Sequence, residues 1–165
     1  MGFKTILVIA SLIFCSCKNT KSRNLENLRN EQLKELSDTL VVICNGEEYR
    51  LEVDYDQESK SKFIRVFNEN RIYKRVKLPS QLDYSGFSLN GFLKTEKGFI
   101  VSVEYGSINY YQKEFYFQCK QNGFNLHQIR TSSFNKRDPS KESVQDSILS
   151  SQISLKDFMF IPFLE

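Results

Sequence analysis

Apolar positions follow three successive rhythms along this chain. Thr5 to Phe14 is almost continuously apolar behind a lone Lys4. Between Ser22 and Asp38 the rhythm becomes helical: Leu25, Leu28, Leu33 and Leu36 fall on one stripe, with charged residues on the other face. From Thr39 onward the period is two, the spacing of a strand with one covered face. The pattern predicts an amphipathic helix from Arg23 to Leu36, capped by Ser22. A partner-binding or membrane-lying helix and a helix that simply covers one side of a sheet share this pattern, and the second is the plainer reading. The chain beyond this helix completes a mainly β (α+β) domain, predicted as an antiparallel meander sheet of six to eight strands.

The strands can be placed individually. TLVVICN is a continuous apolar run, expected for a central strand, and Asn45-Gly46 is a strong hairpin signal. In YRLEVDYD, Tyr49, Leu51, Val53 and Tyr55 alternate with Arg50, Glu52 and Asp54, as in a half-buried strand. A second hairpin is expected around Asn68-Glu69-Asn70, with Ile64 and Val66 sharing a face that Ile72 and Val76 continue. From Phe87 to Thr131 four further strand-like runs are separated by turns. Phe99, Val101, Val103 and Tyr105 form an inner face, as do Phe115, Phe117 and Cys119, then Phe124 and Leu126. Ile129 is out of phase with these, which predicts a bulge or strand end near His127.

The end of the chain is less regular. Thr131 to Gln152 is Ser-rich and polar, and Asp138-Pro139 suits either the start of a short helix with Val144 and Ile148 inward, or a mobile loop. The closing SLKDFMFIPFLE is too apolar to stand in water and is expected to dock as a last edge strand, where Pro162 is tolerated.

The first apolar run needs separate treatment. At roughly ten residues it is about half the ~20 that a helix needs to cross a bilayer. Its position, after a positive residue and before small ones, is that of a secretory signal. Phe14-Cys15-Ser16-Cys17 resembles the lipobox of bacterial lipoproteins, in which a small residue precedes the cysteine that is acylated as the signal is cut. Ser16 before Cys17 fits that pattern; Phe14 stands where leucine is usual. The resemblance covers residues 1–17 and implies a signal at residues 1–16 and an acylated Cys17; the polar stretch that follows reads as a tether, 17–22, and the chain's own pattern predicts a single mostly-β domain at 23–165. Lys18 rather than aspartate after the cysteine is similar to lipoproteins sent to the outer membrane, so a periplasm-facing, lipid-anchored protein of the cell envelope is expected. The domain itself resembles uncharacterised small periplasmic domains only in general look, and that likeness carries no site residues.

Composition narrows the function. Removing the leader takes Lys4 from 23 basic residues and leaves all 20 acidic ones, so charge is nearly balanced. A nucleic-acid binder needs a basic stripe to neutralise phosphates, and no nucleic-acid partner is expected. The abundance of Phe and Tyr, with Trp absent and Pro scarce, favours strands. Cys44 and Cys119 both lie in apolar runs facing inward. An oxidising compartment permits a disulfide between them, and two separate buried thiols are the plainer reading.

Candidate chemistry is sparse. His127 is the single histidine, and no nucleophile elbow or phosphate-binding glycine loop accompanies it. Asp54, Asp56 and Glu58 alternate, a spacing that offers oxygen ligands to calcium, but the glycine and closing glutamate of a calcium loop are missing. No metal or cofactor is expected. Arg65, Arg71, Lys74, Arg75 and Lys77 form the most basic patch, either a site for an acidic partner or a charged edge hairpin. Tyr105, Tyr110, Tyr111 and Tyr116 cluster around Gly106, and Tyr111 and Tyr116 are the candidate binding surface. The expectation is a non-enzymatic binding or interaction module, anchored to the membrane by its N-terminal lipid and meeting a protein partner. The alternatives are an immunity-type lipoprotein that neutralises a delivered toxin, and a carboxylate-dependent enzyme that gathers Asp54, Asp56, Glu104 or His127 in one cleft.

Overall fold

The computed structural model describes residues 36–164. The expected helix lies outside the described residues apart from Leu36, and so do the leader and Cys17. The described chain is mainly β. Strands β1 (Thr39–Cys44), β2 (Glu47–Asp56), β3 (Ser61–Asn68) and β4 (Arg71–Lys77) form one sheet in that order. Strands β5 (Ser88–Thr95), β6 (Gly98–Gly106), β7 (Asn109–Lys120), β8 (Gly123–Asn135) and β9 (Asp138–Ser154) form the second. Every ladder is antiparallel and joins strands adjacent in sequence. The meander expectation therefore holds, but as two sheets with nine strands among the described residues, not one sheet of six to eight.

Both sheets contribute to a single core. Leu51, Ile64, Val66 and Val76 from the first are buried with Phe92, Phe99, Val103, Phe115 and Leu126 from the second. Tyr49 reaches across to meet Phe124 edge-on at 5.1 Å. At the same end Cys44 and Cys119 form a disulfide of 2.00 Å that joins β1 to β7. Beside it, Asn45 in the β1–β2 turn donates through Nδ2 to the Lys120 carbonyl at 2.7 Å. The two sheets also meet through main chain, where Ser37 and Phe92 exchange bonds of 3.0 and 2.8 Å. Gly91, at φ +131°, makes that approach feasible, since a Cβ there would stand 2.9 Å from the Ser37 carbonyl oxygen.

The hairpins follow local chemistry. Asn45 (φ 54°) and Gly46 (φ 82°) turn β1 into β2, and Glu69 (φ 46°) with Asn70 (φ 67°) turns β3 into β4, both with the paired positive φ that suits twisted strands. The phase break at Ile129 is a bulge: Tyr116 pairs with Gln128 and Phe117 with Leu126, leaving His127 unpaired in the ladder.

Several expectations are corrected. β1 is an edge strand, with Val41 45% and Ile43 67% exposed, because its outer face is covered by neither sheet. Ile72 does not share the Ile64–Val66 face. A register shift lets Tyr73 bulge between the pairs Val66–Lys74 and Phe67–Ile72, which turns Ile72 to the opposite side, 56% exposed. Residues 138–154 are neither helix nor loop but strand β9, whose ladder with β8 outweighs their weak intrinsic preference. Val144 and Ile148 lie on its uncovered side, 52% and 81% exposed. Pro139 sits near the start of this edge strand, where a missing N–H is tolerated.

The closing segment docks, though not as a strand. After a turn at 155–157 it ends in a 3-10 turn, Ile161–Phe163, with Pro162 in the first helical positions. Phe158 and Phe160 are each 1% exposed and meet Phe115 at 5.4 and 5.3 Å. Polar anchors hold the backbone behind them: the Tyr105 hydroxyl donates to the Leu164 carbonyl at 2.8 Å, and the buried Lys113 ammonium donates to that of Phe163.

These buried polar groups give an alkaline signature. Burial pushes the Tyr105 hydroxyl up to about 12 from 10.0. Burial, with the Glu47 carboxylate beside it, does the same for Tyr49. Both rings stay neutral in the folded state where the unfolded chain would ionise. The stability they support is thus complete below pH 10 and lost as pH rises toward 12. Burial lowers the Lys113 pKa, which acts in the opposite sense, favouring the fold as pH rises. Melting temperature should fall between pH 10 and 12, and fall less steeply in Tyr105→Phe and Tyr49→Phe; an unchanged slope in both variants would remove the tyrosines as its cause.

Candidate functional site

The outer faces of the two sheets place the candidate residues. On the outer face of the four-stranded sheet, register aligns Val41, Arg50, Phe67 and Ile72 in one row across all four strands. The next row is Thr39, Glu52, Arg65 and Arg75, and beyond it Asp54 lies opposite Phe63. Arg65 and Arg75 stand directly opposite, which costs energy unless each has a counter-charge. Arg65 pairs with Glu52 at 3.0 Å and Asp54 at 3.4 Å, and Arg75 with Asp56 at 3.3 Å. Arg50 also pairs with Glu52, at 3.2 Å.

The same guanidinium groups lie over aromatic rings. Arg50 sits 4.6 Å and Arg65 5.5 Å from the Phe67 centroid, and Arg75 4.2 Å from that of Phe63. Each arginine is thus held by a carboxylate and by a ring of the same face, so less side-chain freedom is left to lose on contact with another surface. Val41, Ile43 and Ile72 flank this lattice as exposed apolar residues. The basic patch of the sequence is therefore divided. Arg65 and Arg75 are neutralised on this face, while Lys74 turns to the Lys156 carbonyl.

Tyr111 and Tyr116 are not brought together. Tyr111 lies on the inner side, stacked on Tyr105 at 5.3 Å and packed against the core. Tyr116 lies on the outer face of the five-stranded sheet and donates to Glu114 at 2.7 Å. Burial and the Glu114 carboxylate hold its hydroxyl far above the ordinary tyrosine range. Next to it, Arg130 grips Asp146 through bonds of 2.9 and 3.3 Å, and Asp146 also accepts from Gln128 at 3.0 Å. The arginine keeps the Asp146 carboxyl below its usual value. This cross-strand network ties β7, β8 and β9, with its hydrogen-bonding groups turned on one another.

The residues an enzyme would gather are apart. Asp54 and Asp56 belong to the four-stranded sheet, Glu104 and His127 to the other. Asp56 accepts from the backbone N–H groups of Glu58 and Ser59, at 3.0 and 3.2 Å, and the Ser59 bond first, with the Arg75 contact, holds its carboxyl below the usual range. Glu104 accepts from the Tyr110 hydroxyl. His127 projects from its bulge toward Tyr116, ring centroids 6.5 Å apart, and burial with the nearby Lys120 lowers its pKa. The alternating acidic residues are thus spent on a turn and on arginines.

The arginine–phenylalanine lattice is not legible in the sequence, although its parts are. Arg50, Phe63, Arg65 and Phe67 are the wet positions of β2 and β3, and a guanidinium directly across from a ring is visible only once the register is known. No protein-family model matches this chain, and neither the curated proteins nor the solved structures contain a match to it.

Proposed function

We propose that this chain is a lipid-anchored protein of the bacterial cell envelope, a non-enzymatic interaction module that meets a protein partner with the outer face of its four-stranded sheet. The observation that carries the reading is the arginine–phenylalanine lattice bordered by exposed Val41 and Ile72. Arginine and aromatic residues are over-represented at protein interfaces and dominate their energetics. Here they are already oriented, and their charges are balanced three against three. Balanced charge suits a mixed protein surface better than a polyanion. The lipid anchor rests on the lipobox-like segment ending at Cys17, and it would hold the domain on the outer membrane, facing the periplasm.

A photo-cross-linking residue placed at Val41 of the full chain in living cells should yield one discrete adduct, and the same residue at Ser147 on β9 should not. Arg50→Ala should weaken that adduct by about thirtyfold, the loss expected for an interface hot spot. Cys17→Ser should move the chain out of the membrane fraction. An adduct insensitive to Arg50→Ala rejects the face, and unchanged membrane retention of Cys17→Ser rejects the anchor.

A further inference from the structure

Asparagine precedes glycine three times in this chain, at Asn45, Asn90 and Asn122. Such a pair carries its own chemistry. The glycine main-chain nitrogen lies next to the asparagine amide, and a residue without a side chain does nothing to keep the two apart. Whether they react depends on how firmly the amide and its backbone are held, and the fold holds the three pairs differently.

Asn45 is held twice. Its Nδ2 donates to the Lys120 carbonyl at 2.7 Å and to that of Gln121 at 3.2 Å, and its backbone is set at φ 54° in the β1–β2 turn. Asn90 is half-buried in β5 and donates through Nδ2 to the Ser102 hydroxyl at 3.4 Å. The backbone after it is packed as well. Gly91 is paired with Ser102, and a Cβ on it would stand 2.9 Å from the Ser37 carbonyl oxygen. Asn122 differs from both. It is exposed in the turn between β7 and β8, and its side chain has no hydrogen-bond partner among the described residues. Gly123 follows it at φ +97°, so the hairpin itself demands glycine where the reaction needs one.

We propose that Asn122–Gly123 is a site of self-catalysed deamidation, and that their contacts protect Asn45 and Asn90 from the same reaction. The Gly123 nitrogen attacks Cγ of Asn122. A C–N bond forms, the attacking nitrogen gives up its proton, and the side-chain nitrogen leaves as ammonia. Water then opens the cyclic imide at either carbonyl. One opening gives aspartate, the other isoaspartate, whose main chain runs through Cβ. The sum is an amide and water becoming an acid and ammonia, with no further reactant.

The place of this turn gives the modification an effect beyond its charge. Lys120 and Gln121 supply the two carbonyls that Asn45 grips, and Cys119 beside them carries the disulfide to β1. Just past the turn, fully buried Phe124 meets Tyr49 at 5.1 Å and Phe99 at 4.9 Å. Isoaspartate inserts a methylene into the main chain between these two anchors, so the carbonyls or the ring must move. The reaction therefore loosens the junction of the two sheets.

After reduction of the disulfide, trypsin places the three pairs in separate peptides, 35–50, 78–94 and 121–130. The purified full chain is incubated in mildly alkaline buffer and digested, and each peptide is scored by mass for amide loss and by chromatography for isoaspartate. In the folded chain, 121–130 should convert roughly tenfold faster than the other two, the factor given by one hydrogen bond that must break on the way to the transition state. In concentrated urea the three should convert at similar rates. Asn122→Gln should leave 121–130 unconverted, because closure to the larger imide is slow; should that variant misfold, the comparison within wild type decides alone. The isoaspartyl fraction should melt below the unmodified chain, whereas Asn122→Asp, which adds the charge without the methylene, should melt with it. Conversion of 35–50 or 78–94 as fast as 121–130 in the folded chain would overturn the proposal, and so would a 121–130 peptide that converts in urea alone. Equal melting of the isoaspartyl and unmodified chains would overturn the effect on the junction.

Discussion

Replacing Cys44 and Cys119 together by alanine is expected to lower the free energy of unfolding by about 4 kcal/mol. The bridge closes a loop with a sequence separation of 75, and a cross-link of that span removes most of the chain entropy that a long loop adds to the unfolded state. Beside it the ties between the sheets are made by side chains, through the Asn45 bond to the Lys120 carbonyl and the Tyr49–Phe124 ring contact. Among the described residues no ladder joins a strand of one sheet to a strand of the other, so the remaining main-chain link is the exchange between Ser37 and Phe92. For a domain whose whole stability is about 5–15 kcal/mol, that loss is a large share. Urea unfolding of the double variant and of the reduced wild type should agree. A difference from oxidised wild type below about 1 kcal/mol would mean that the shared core alone sets the stability of the pair of sheets.

Phe158→Ala is expected to cost about 3–5 kcal/mol, the range for removing a fully buried ring whose neighbours cannot close the space. Phe158 touches Phe115, Phe117, Phe160 and Phe163 at centroid distances of 5.4, 5.0, 4.9 and 5.8 Å. Two of these belong to β7 and two to the closing segment, so the ring joins the segment to the sheet. Loosening it would also expose the carbonyls that Tyr105 and Lys113 now reach, leaving a buried hydroxyl and a buried ammonium short of partners. Thermal unfolding should show the loss, and trypsin should cut at Lys156 in the native variant but not in wild type. Phe158→Leu should cost far less, since a smaller apolar side chain still keeps much of the contact. Equal stability of Phe158→Ala and wild type would mean the segment is not part of the core.

The parts of this fold that are legible in the sequence are those decided over a few residues. Alternation places β2, β6 and β7, the Asn-Gly pair places a turn, and the phase slip at Ile129 locates a bulge. The misplaced parts depend on partners distant in sequence. TLVVIC looks like a central strand because it is apolar on both sides, yet Val41 and Ile43 face water at a sheet edge. SKESVQDSILSSQ has little strand character of its own and is held by the ladder to β8. Ile72 reads to the wrong side because one bulged residue, Tyr73, inverts the alternation around it. The candidate tyrosines show the same limit. Tyr111 and Tyr116 are near in sequence but an odd number of residues apart, so the pleat sends them to opposite faces.

The neighbour-to-neighbour wiring of the strands has a consequence for the order in which the molecule forms. Each hairpin closes a short loop, so conformational search is local despite the high β content, and such chains fold faster than those that must bring distant strands together. A chain emerging N-terminus first can complete the sheet from Thr39 to Lys77 before residue 88 has appeared. One covalent step breaks that sequence: Cys119 follows its partner by 75 residues, so Cys44 must wait as a free thiol, beside the Asn45-Gly46 turn, until the second sheet arrives to meet it.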